Sequence, residues 1–493
     1  MSDSPETNED RVVERRREKH ERAQSSGGYP HRFERSDLAG ELQDRYRDLG
    51  PEEKTDDRVS VAGRLMLHRS FGKLQFGTLQ DVSGRIQLFV DSQDSHDIAA
   101  EFAELDIGDW VGARGTVMTT KRGELSVRVD ELTLLQKSLR PLPDKWHGLV
   151  DIETRSRRRY VDLMVNEEAL RVATTRARIV SELRNQFDRR GFIEVETPVL
   201  LHRATGATAR PFQTSHNALD IDMYLRIATE LFLKRLVVGG LERVYEIGRI
   251  FRNEGIDSTH NPEFTMLEAY QAFADYTDIM ALVEEVFSAV AETATGSPTV
   301  TYQGVEIDLA PPYRRVSIAE LVSEAAGRSL SLDTDIDIIR DAADSLSVVY
   351  EESWTVDRVL IEIYEQVVET SIVQPTFVTH QPIQMSPLSR RNPDDPRLAD
   401  RFELVIAGSE YANAFSELND ADDQRTRFEE QTAARDAGDE EAHPIDEDYL
   451  LALEYGLPPT GGLGIGVDRL VMLLTDQAHI REVILFPTLR PEG

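Results

Sequence analysis

The sequence predicts an α+β protein in two parts. A small five-stranded β-barrel comes first, followed by a larger unit in which an antiparallel sheet is flanked by helices and carries a helical insertion. Three observations carry this. Short alternating strands with glycine turns crowd residues 58–140, a long amphipathic helix opens the next part, and the later strand candidates lack the strand-helix-strand rhythm of a parallel sheet. At 493 residues the chain is also too long for one domain.

Residues 1–57 read as an N-terminal extension, partly helical, with the basic run "RVVERRREKHER" before the breaker cluster "SSGGYPHRF". The basic run is a solvated helical face or an RNA contact; charge alone does not separate the two. In residues 58–140 the segments "VSVAGRLMLHRS", "LQFGTLQDVSG", "RIQLFVD", "GDWVGARGTVMTT" and "GELSVRVDELTLL" fit the five strands of an OB-fold, a barrel that commonly binds single-stranded nucleic acid on one face. Phe76 and Gln87 fall on neighbouring strands, where Phe76 is either a stacking ring or part of the core. Residues 141–166, with two prolines and then Arg155, Arg157, Arg158 and Arg159, read as a linker. Asn166 then caps a long helix that Gly191 stops, opening a unit over 167–493. Within it, residues 276–372 carry helical periodicity and read as an inserted helical subdomain.

Composition narrows the chemistry. Cysteine is absent, which removes disulfides, thiol nucleophiles and Cys-ligated metals. The 11 histidines are scattered without a HExxH pair, so any metal is expected to be a hard cation held by carboxylates. No apolar run is long enough to span a bilayer and no secretory h-region is present, so no membrane partner and a cytoplasmic location are expected. Asp and Glu number 89 against 56 Lys and Arg, a net charge of -33. Such acidity ordinarily argues against nucleic acid. Its diffuse spread, with lysine rare beside arginine, favours instead a protein of a high-salt cytoplasm, and on that reading the charge does not veto RNA.

Three stretches concentrate functional groups. If residues 244–252 form a strand, Glu246, Gly248 and Arg252 share one face, while Phe264, Met266, Glu268 and Tyr270 share a face of the returning strand. A cation, a ring, a carboxylate and a phenol on facing strands suit a polar substrate pocket better than a surface ladder of ion pairs. In "FELVIAGSEYANAFSELND", Glu403, Glu410, Asn413 and Glu417 sit among apolar and small residues, where buried carboxylates require a cation, and Glu403 with Glu410 could hold Mg²⁺. In "PPTGGLGIGVDRL" the spacing Gly462, Gly464, Gly466 is not GxGxxG and no Walker lysine is present. It reads as a bare-backbone strand running into a helix near Val467, with Arg469 in the first turn.

In chain order, "GFIEVETPVL" with Pro198, "YEIGRIFRNEGIDSTHNPEFTMLE" and "GGLGIGVDRL" resemble the three signature motifs of the class II aminoacyl-tRNA synthetases. The stretches "ATGATARPF", "YLRIATELFLKRL" and "EYANAFSELND", with the N-terminal OB-fold, are most similar to the lysyl enzymes. The resemblance implies a class II catalytic domain and a homodimer formed through the first motif. It implies a reaction in which ATP and L-lysine give lysyl-adenylate, and the lysyl group passes to the 3' end of tRNA(Lys) with release of AMP and pyrophosphate. It places Arg252 at the ATP α-phosphate, Arg469 at the γ-phosphate, Phe264 on adenine, and Glu254, His260 and Asn261 in the loop around ATP. Glu403 and Glu410 match Mg²⁺ ligands, and Gly206, Glu230, Glu268, Tyr270, Asn413 and Glu417 match the lysine pocket. Arg69, Phe76, Gln87 and Glu124 match anticodon-reading positions. Charge logic agrees independently: an ε-ammonium entering a partly dry site needs carboxylates and acceptors such as Glu230, Glu417 and Tyr270.

Overall fold

The alternating segments near the N-terminus become strands β1 (Lys54–Phe71), β2 (Leu74–Gln80), β3 (Arg85–Asp91), β4 (Trp110–Thr119) and β5 (Leu125–Gln136), closed as a barrel in the order β1-β2-β3-β5-β4. The long β1 serves two neighbours: Arg58–Arg64 pair with β4, and Arg64–Phe71 pair with β2. A parallel pairing of β3 with β5 closes the ring. Every second residue points inward, so Val61, Leu79, Ile86, Leu88, Val111, Val117 and Val127 fill the interior together with Phe102 of the helix His96–Ala103. Gly77 admits that ring, since a Cβ there would lie 2.7 Å from Phe102 Cζ.

The computed structural model describes residues 8–143, 149–203, 205–207, 209–436 and 445–492. Two units are distinguished, Met1–Leu149 and Val150–Gly493. Residues 1–7 of the expected extension and 144–148 of the expected linker lie outside the described residues, as do Ala204 and Thr208 of "ATGATARPF". No described helix is long and apolar enough to cross a membrane.

Both basic runs make contacts that the sequence did not reveal, while Arg11, Arg15 and Arg17 of the first remain exposed. The helix Asn8–Ser25 is bound to the first unit through Arg16, which is 5% exposed and donates to the carbonyls of Ile107, Ser138 and Arg140 at 2.9–3.0 Å. Residues beyond Val150 in the expected linker are helical, and their arginines are engaged within the second unit. Arg155 pairs with Asp162 and Glu482, Arg159 pairs with Asp162 and donates to Leu485 O and Arg481 O, and Arg157 pairs with Glu153. Those groups are structural, because each already holds an acceptor that a phosphate would have to displace.

The second unit is built on an eight-stranded sheet. Its strands, with smaller ones between, are β6 (Ile193–Glu194), β7 (Leu200–Leu201), β8 (Gln213–His216), β9 (Ile221–Leu225), β10 (Arg243–Phe251), β11 (Glu263–Ala272), β12 (Thr299–Tyr302), β13 (Val305–Asp308), β14 (Arg314–Ser317), β15 (Thr376–Thr379), β16 (Arg401–Ile406), β17 (Ser409–Ser416) and β18 (Thr460–Gly466). The large sheet runs β14-β15-β16-β17-β18-β11-β10-β6, antiparallel except at its two ends, where β14/β15 and β10/β6 are parallel. One face packs on the helix Glu167–Arg189, capped as expected by Asn166, and on the helices Tyr276–Thr295 and Val467–Thr475. Phe187, fully buried, stacks on Tyr245 with centroids 5.2 Å apart, and its truncation to alanine is expected to cost about 3–5 kcal/mol.

The insertion is narrower than 276–372. Ile279, Val283, Phe287 and Val290 of the first helix in that span belong to the main core, and β12, β13 and β14 follow it. A second apolar cluster forms where Ile318–Ala326, Ile336–Ser345, Val356–Ile363 and the π-helical turn Tyr364–Val368 pack together and onto Val316, Val378 and Val405 of β14, β15 and β16. Helical periodicity reveals an apolar face, and the core that face joins is settled by tertiary packing.

Candidate active site

The opposite face of the sheet carries polar groups in register. Glu268 on β11 pairs with Gly464 on β18, Gly464 with Asn413 on β17, and Asn413 with Glu403 on β16. The next row runs Tyr270, Gly462, Phe415, Arg401. Alternation on β18 sends Leu463 and Ile465 into the core and leaves Gly462, Gly464 and Gly466 facing a cavity of about 1120 Å³. Bare backbone is required there. A Cβ on Gly462 would fall 1.8 Å from Glu417 Oε1 and 2.7 Å from Tyr270 Cε1, and one on Gly464 would meet Met266 Cε at 2.8 Å.

Arg252, Glu254, His260, Asn261, Phe264, Arg469, Gly206, Glu230, Glu268, Tyr270, Asn413, Glu417, Glu403 and Glu410 all line this one cavity. Arg252 follows β10, donates to Ile227 O at 3.4 Å, and places its guanidinium carbon 5.4 Å from the Phe264 ring centroid. Arg469 stands in the first turn of the helix Val467–Thr475, donates to Glu410 O at 2.7 Å and lies 3.3 Å from His260 Nε2. The loop between β10 and β11 is ordered by Asp257, which accepts from the backbone of Thr259 and His260 and faces His260 Nδ1 at 2.8 Å. Burial raises the Asp257 carboxyl, yet these hydrogen bonds outweigh it and hold it down at about 2. Asn261 is 5% exposed, donates to Glu263 O at 2.6 Å, and leaves its Oδ1 without a partner.

At the other end, carboxylates dominate. Glu268 accepts from Thr229 N at 3.0 Å, at the start of the helix Glu230–Val238, and burial pushes its carboxyl up to about 7. Burial also raises Glu417 and the Tyr270 phenol. Between the two ends, burial and then the charge of Glu403 raise Glu410.

Residues 151–490 match the model described as tRNA synthetases class II (D, K and N), and residues 59–135 match the OB-fold nucleic acid binding domain. The chain is 53% identical over 478 residues to the lysine–tRNA ligase of Thermosynechococcus vestitus, covering 96% of this chain and 94% of that protein. It is 52% identical over 463 residues to the lysine–tRNA ligase of Leuconostoc mesenteroides, covering 94% of each, and 51% identical over 480 residues to that of Enterococcus faecalis, covering 96% of each. The chain belongs to the lysine–tRNA ligase family.

In this lysine–tRNA ligase family member, several side chains that sequence reasoning passed over complete the site. Arg401 binds Glu403 at 2.6 Å and donates to Asn413 Oδ1 at 3.1 Å and Ser386 Oγ at 2.9 Å. Its place two residues before Glu403 on the same strand face was the available signal. Asp468 joins Thr265 N at 2.6 Å to Arg176 at 2.6 Å, tying the returning strand to the Arg469 helix. Lys234 is buried against Glu230 and Glu417, four residues after Glu230 in an otherwise apolar turn. Glu246, by contrast, does not line the cavity. It is buried against Arg226 at 2.5 Å and accepts from Thr197, so it supports the sheet beneath Gly248 instead of meeting a ligand.

On the barrel, Arg69 and Phe76 are cross-strand partners, and Gln87 donates to Ser126 Oγ at 2.8 Å, two residues after the exposed Glu124. Phe76 stays outside the apolar interior. It is half-buried between Phe71 and Phe89, at centroid distances of 6.2 and 5.5 Å. Phe89, an outward position of "RIQLFVD", extends the aromatic surface and was legible from strand alternation.

Proposed function

We propose that the protein activates L-lysine with ATP to lysyl-adenylate and transfers the lysyl group to the 3' end of tRNA(Lys), releasing AMP and pyrophosphate. The observation that carries this reading is the anionic end of the cavity. Glu230, Glu268 and Glu417 converge there with Tyr270, the acceptor set an ammonium side chain requires, whereas an aspartate-selecting pocket would need a free cation at the same place.

The nucleotide occupies the other end. Phe264 offers a stacking face for adenine, Arg252 reaches the α-phosphate and the substrate carboxylate, Arg469 meets the γ-phosphate at a helix N-terminus, and Glu254, His260 and Asn261 close the loop over the nucleotide. Gly206, with φ +96°, brings backbone close to the amino acid beside Glu230, and Asn413, held by Arg401, faces it from β17. No protein nucleophile is needed. The lysine carboxylate attacks the α-phosphorus in line, then the terminal ribose hydroxyl attacks the adenylate carbonyl, and the chain contributes positioning and charge neutralisation.

Glu403 and Glu410 fit Mg²⁺. Their mutual repulsion, expressed in the raised Glu410 carboxyl, is what a divalent cation relieves. A pair of carboxylates completed by phosphate oxygens suits this ion, and no larger His or acidic cluster exists among the described residues. When bound, Mg²⁺ would neutralise triphosphate charge.

The aromatic face of the barrel supports anticodon binding by Arg69, Phe76, Gln87 and Glu124. Exposed Ile193, Val199 and Leu200, at 50%, 40% and 46%, support a homodimer through that edge of the sheet. A cytoplasmic location and adaptation to high salt complete the proposal. The test is ATP–pyrophosphate exchange with each amino acid at several salt concentrations: lysine alone should support it, and exchange driven by aspartate or asparagine would overturn the reading.

A further inference from the structure

Behind the amino-acid end of the cavity, the helix Glu230–Val238 carries Lys234, whose side chain has no exposed surface. Its ammonium lies 2.5 Å from Glu230 Oε1, one turn back on the same helix, and contacts Glu417 Oε2. The rings of Phe415 and Tyr449 flank it at 5.5 and 5.8 Å from their centroids. Glu230 and Glu417 line the cavity, and Lys234 does not. Both carboxylates are therefore held by a cation on their far side from the substrate. Glu417 Oε1, beside Gly462, is left buried without a hydrogen-bond partner.

Resting on the lysine-activating reading above, we propose that Lys234 is a positioning residue for substrate selection: a resident cation that holds Glu230 and Glu417 from behind and keeps them available to an incoming ammonium. With all groups ionised, the three carboxylates of Glu230, Glu268 and Glu417 against this one ammonium leave two negative charges, which the two ammonium groups of free lysine balance. An amino acid of equal length with an apolar end leaves one carboxylate buried and uncompensated, and is rejected for that reason.

Several titratable groups face Glu417: Lys234 and Glu230 from the helix, Glu268 and Tyr270 from β11, and Tyr449 from the helix Glu447–Glu454; the charge of Arg252 reaches Glu268. Burial opposes the charged form of Lys234, but Glu230 and Glu417 together keep it protonated well beyond the ordinary lysine range. Without it, two buried carboxylates would face each other with nothing between them, and Glu417 would be driven further toward its protonated form. A protonated carboxyl attracts an ammonium weakly, so lysine capture would then require a higher pH.

The test is lysine-dependent ATP–pyrophosphate exchange by the full chain between about pH 6 and pH 9, the range that brackets such a titration, for wild type, Lys234→Met, Glu230→Gln and the double variant. In Lys234→Met the lysine KM should rise about tenfold or more and the acid limb of kcat/KM for lysine should move up by about one pH unit, with the ATP KM and kcat at saturating lysine little changed. In the double variant the limb should lie between those of Glu230→Gln and Lys234→Met, because one of the two repelling carboxylates has gone. A Lys234→Met limb that stays at the wild-type position, or equal losses toward lysine and ATP, would overturn the proposal. Should Lys234→Met fail to fold, the double variant measured against Glu230→Gln decides, and an unshifted limb there overturns it equally. Wild-type exchange is the separate control: its absence with lysine would overturn the proposed function, while its presence beside unshifted variants would overturn only the role of Lys234.

Discussion

The guanidinium of Arg252 lies over the ring of Phe264, 5.4 Å from its centroid, so the two ends of the β10–β11 loop close on each other across the cavity mouth. In the proposed reaction a base slides onto the ring while the guanidinium turns to phosphate. Arg252→Ala is expected to lower pyrophosphate exchange about a thousandfold, since it removes the cation that stabilises negative charge developing in the transition state. Phe264→Leu should raise the ATP KM about tenfold, the loss of one stacking contact, with little effect on the lysine KM. Steady-state kinetics on both substrates would check this, and retained exchange in Arg252→Ala would sink the assignment.

Gly462→Ala tests the bare strand. The added methyl would stand 1.8 Å from Glu417 Oε1 and 2.7 Å from Tyr270 Cε1, so it must displace both groups. Overpacking of this kind costs about 1–3 kcal/mol of stability. Lysine binding should weaken about a hundredfold while ATP binding persists, because Phe264 and Arg252 lie at the other end of the cavity. Calorimetric titration with each substrate separates the two effects.

Glu268 should give stability a pH dependence. Its carboxyl titrates at about 7 in the folded protein against an ordinary 4.5, with burial the main cause. The folded state therefore binds the extra proton, and this stabilising contribution is complete below pH 4.5 and lost as pH rises through about 7. Relative to wild type, Glu268→Gln should gain about 3 kcal/mol in unfolding free energy between pH 4.5 and pH 8. Denaturant melts across that range would show it, and a constant difference between the two proteins would refute it.

The barrel makes a separable prediction. Phe76→Ala and Phe89→Ala should each weaken tRNA binding by about 1–3 kcal/mol and leave amino-acid-dependent exchange, which needs no tRNA, unchanged. With a net charge of -33 and Arg155, Arg157 and Arg159 already engaged, few phosphate contacts are expected. Binding should then fall only shallowly with salt, and a steep loss between low and molar salt would count against the salt-adapted reading.

The residues that line the cavity were legible because their signal is local. Phe264, Glu268 and Tyr270 share strand parity, and Gly462, Gly464 and Gly466 alternate with core residues along seven residues of β18. What stayed hidden depends on contacts between distant segments. The partners of Arg155 and Arg159 at Glu482, Arg481 and Leu485 are invisible in a basic run, so that run read as part of a linker. Glu246 shares its strand face with Gly248, and only Arg226 from elsewhere in the chain decides that it is buried. Phe76 had two readings until the barrel closed and left it outside.

The order of strands in the large sheet has a bearing on how the chain is made. β18 is made after both of its neighbours and is inserted between β11 and β17, at the centre of the sheet. Until it arrives, a nascent chain holds two half-sheets, each with an unpaired edge, and the cavity-lining groups on β11 and β17 have no floor between them. Synthesis that stops short of residue 460 would leave those edges open to other chains. The protein thus acquires catalytic competence and protection from aggregation together, when its final strand closes the sheet.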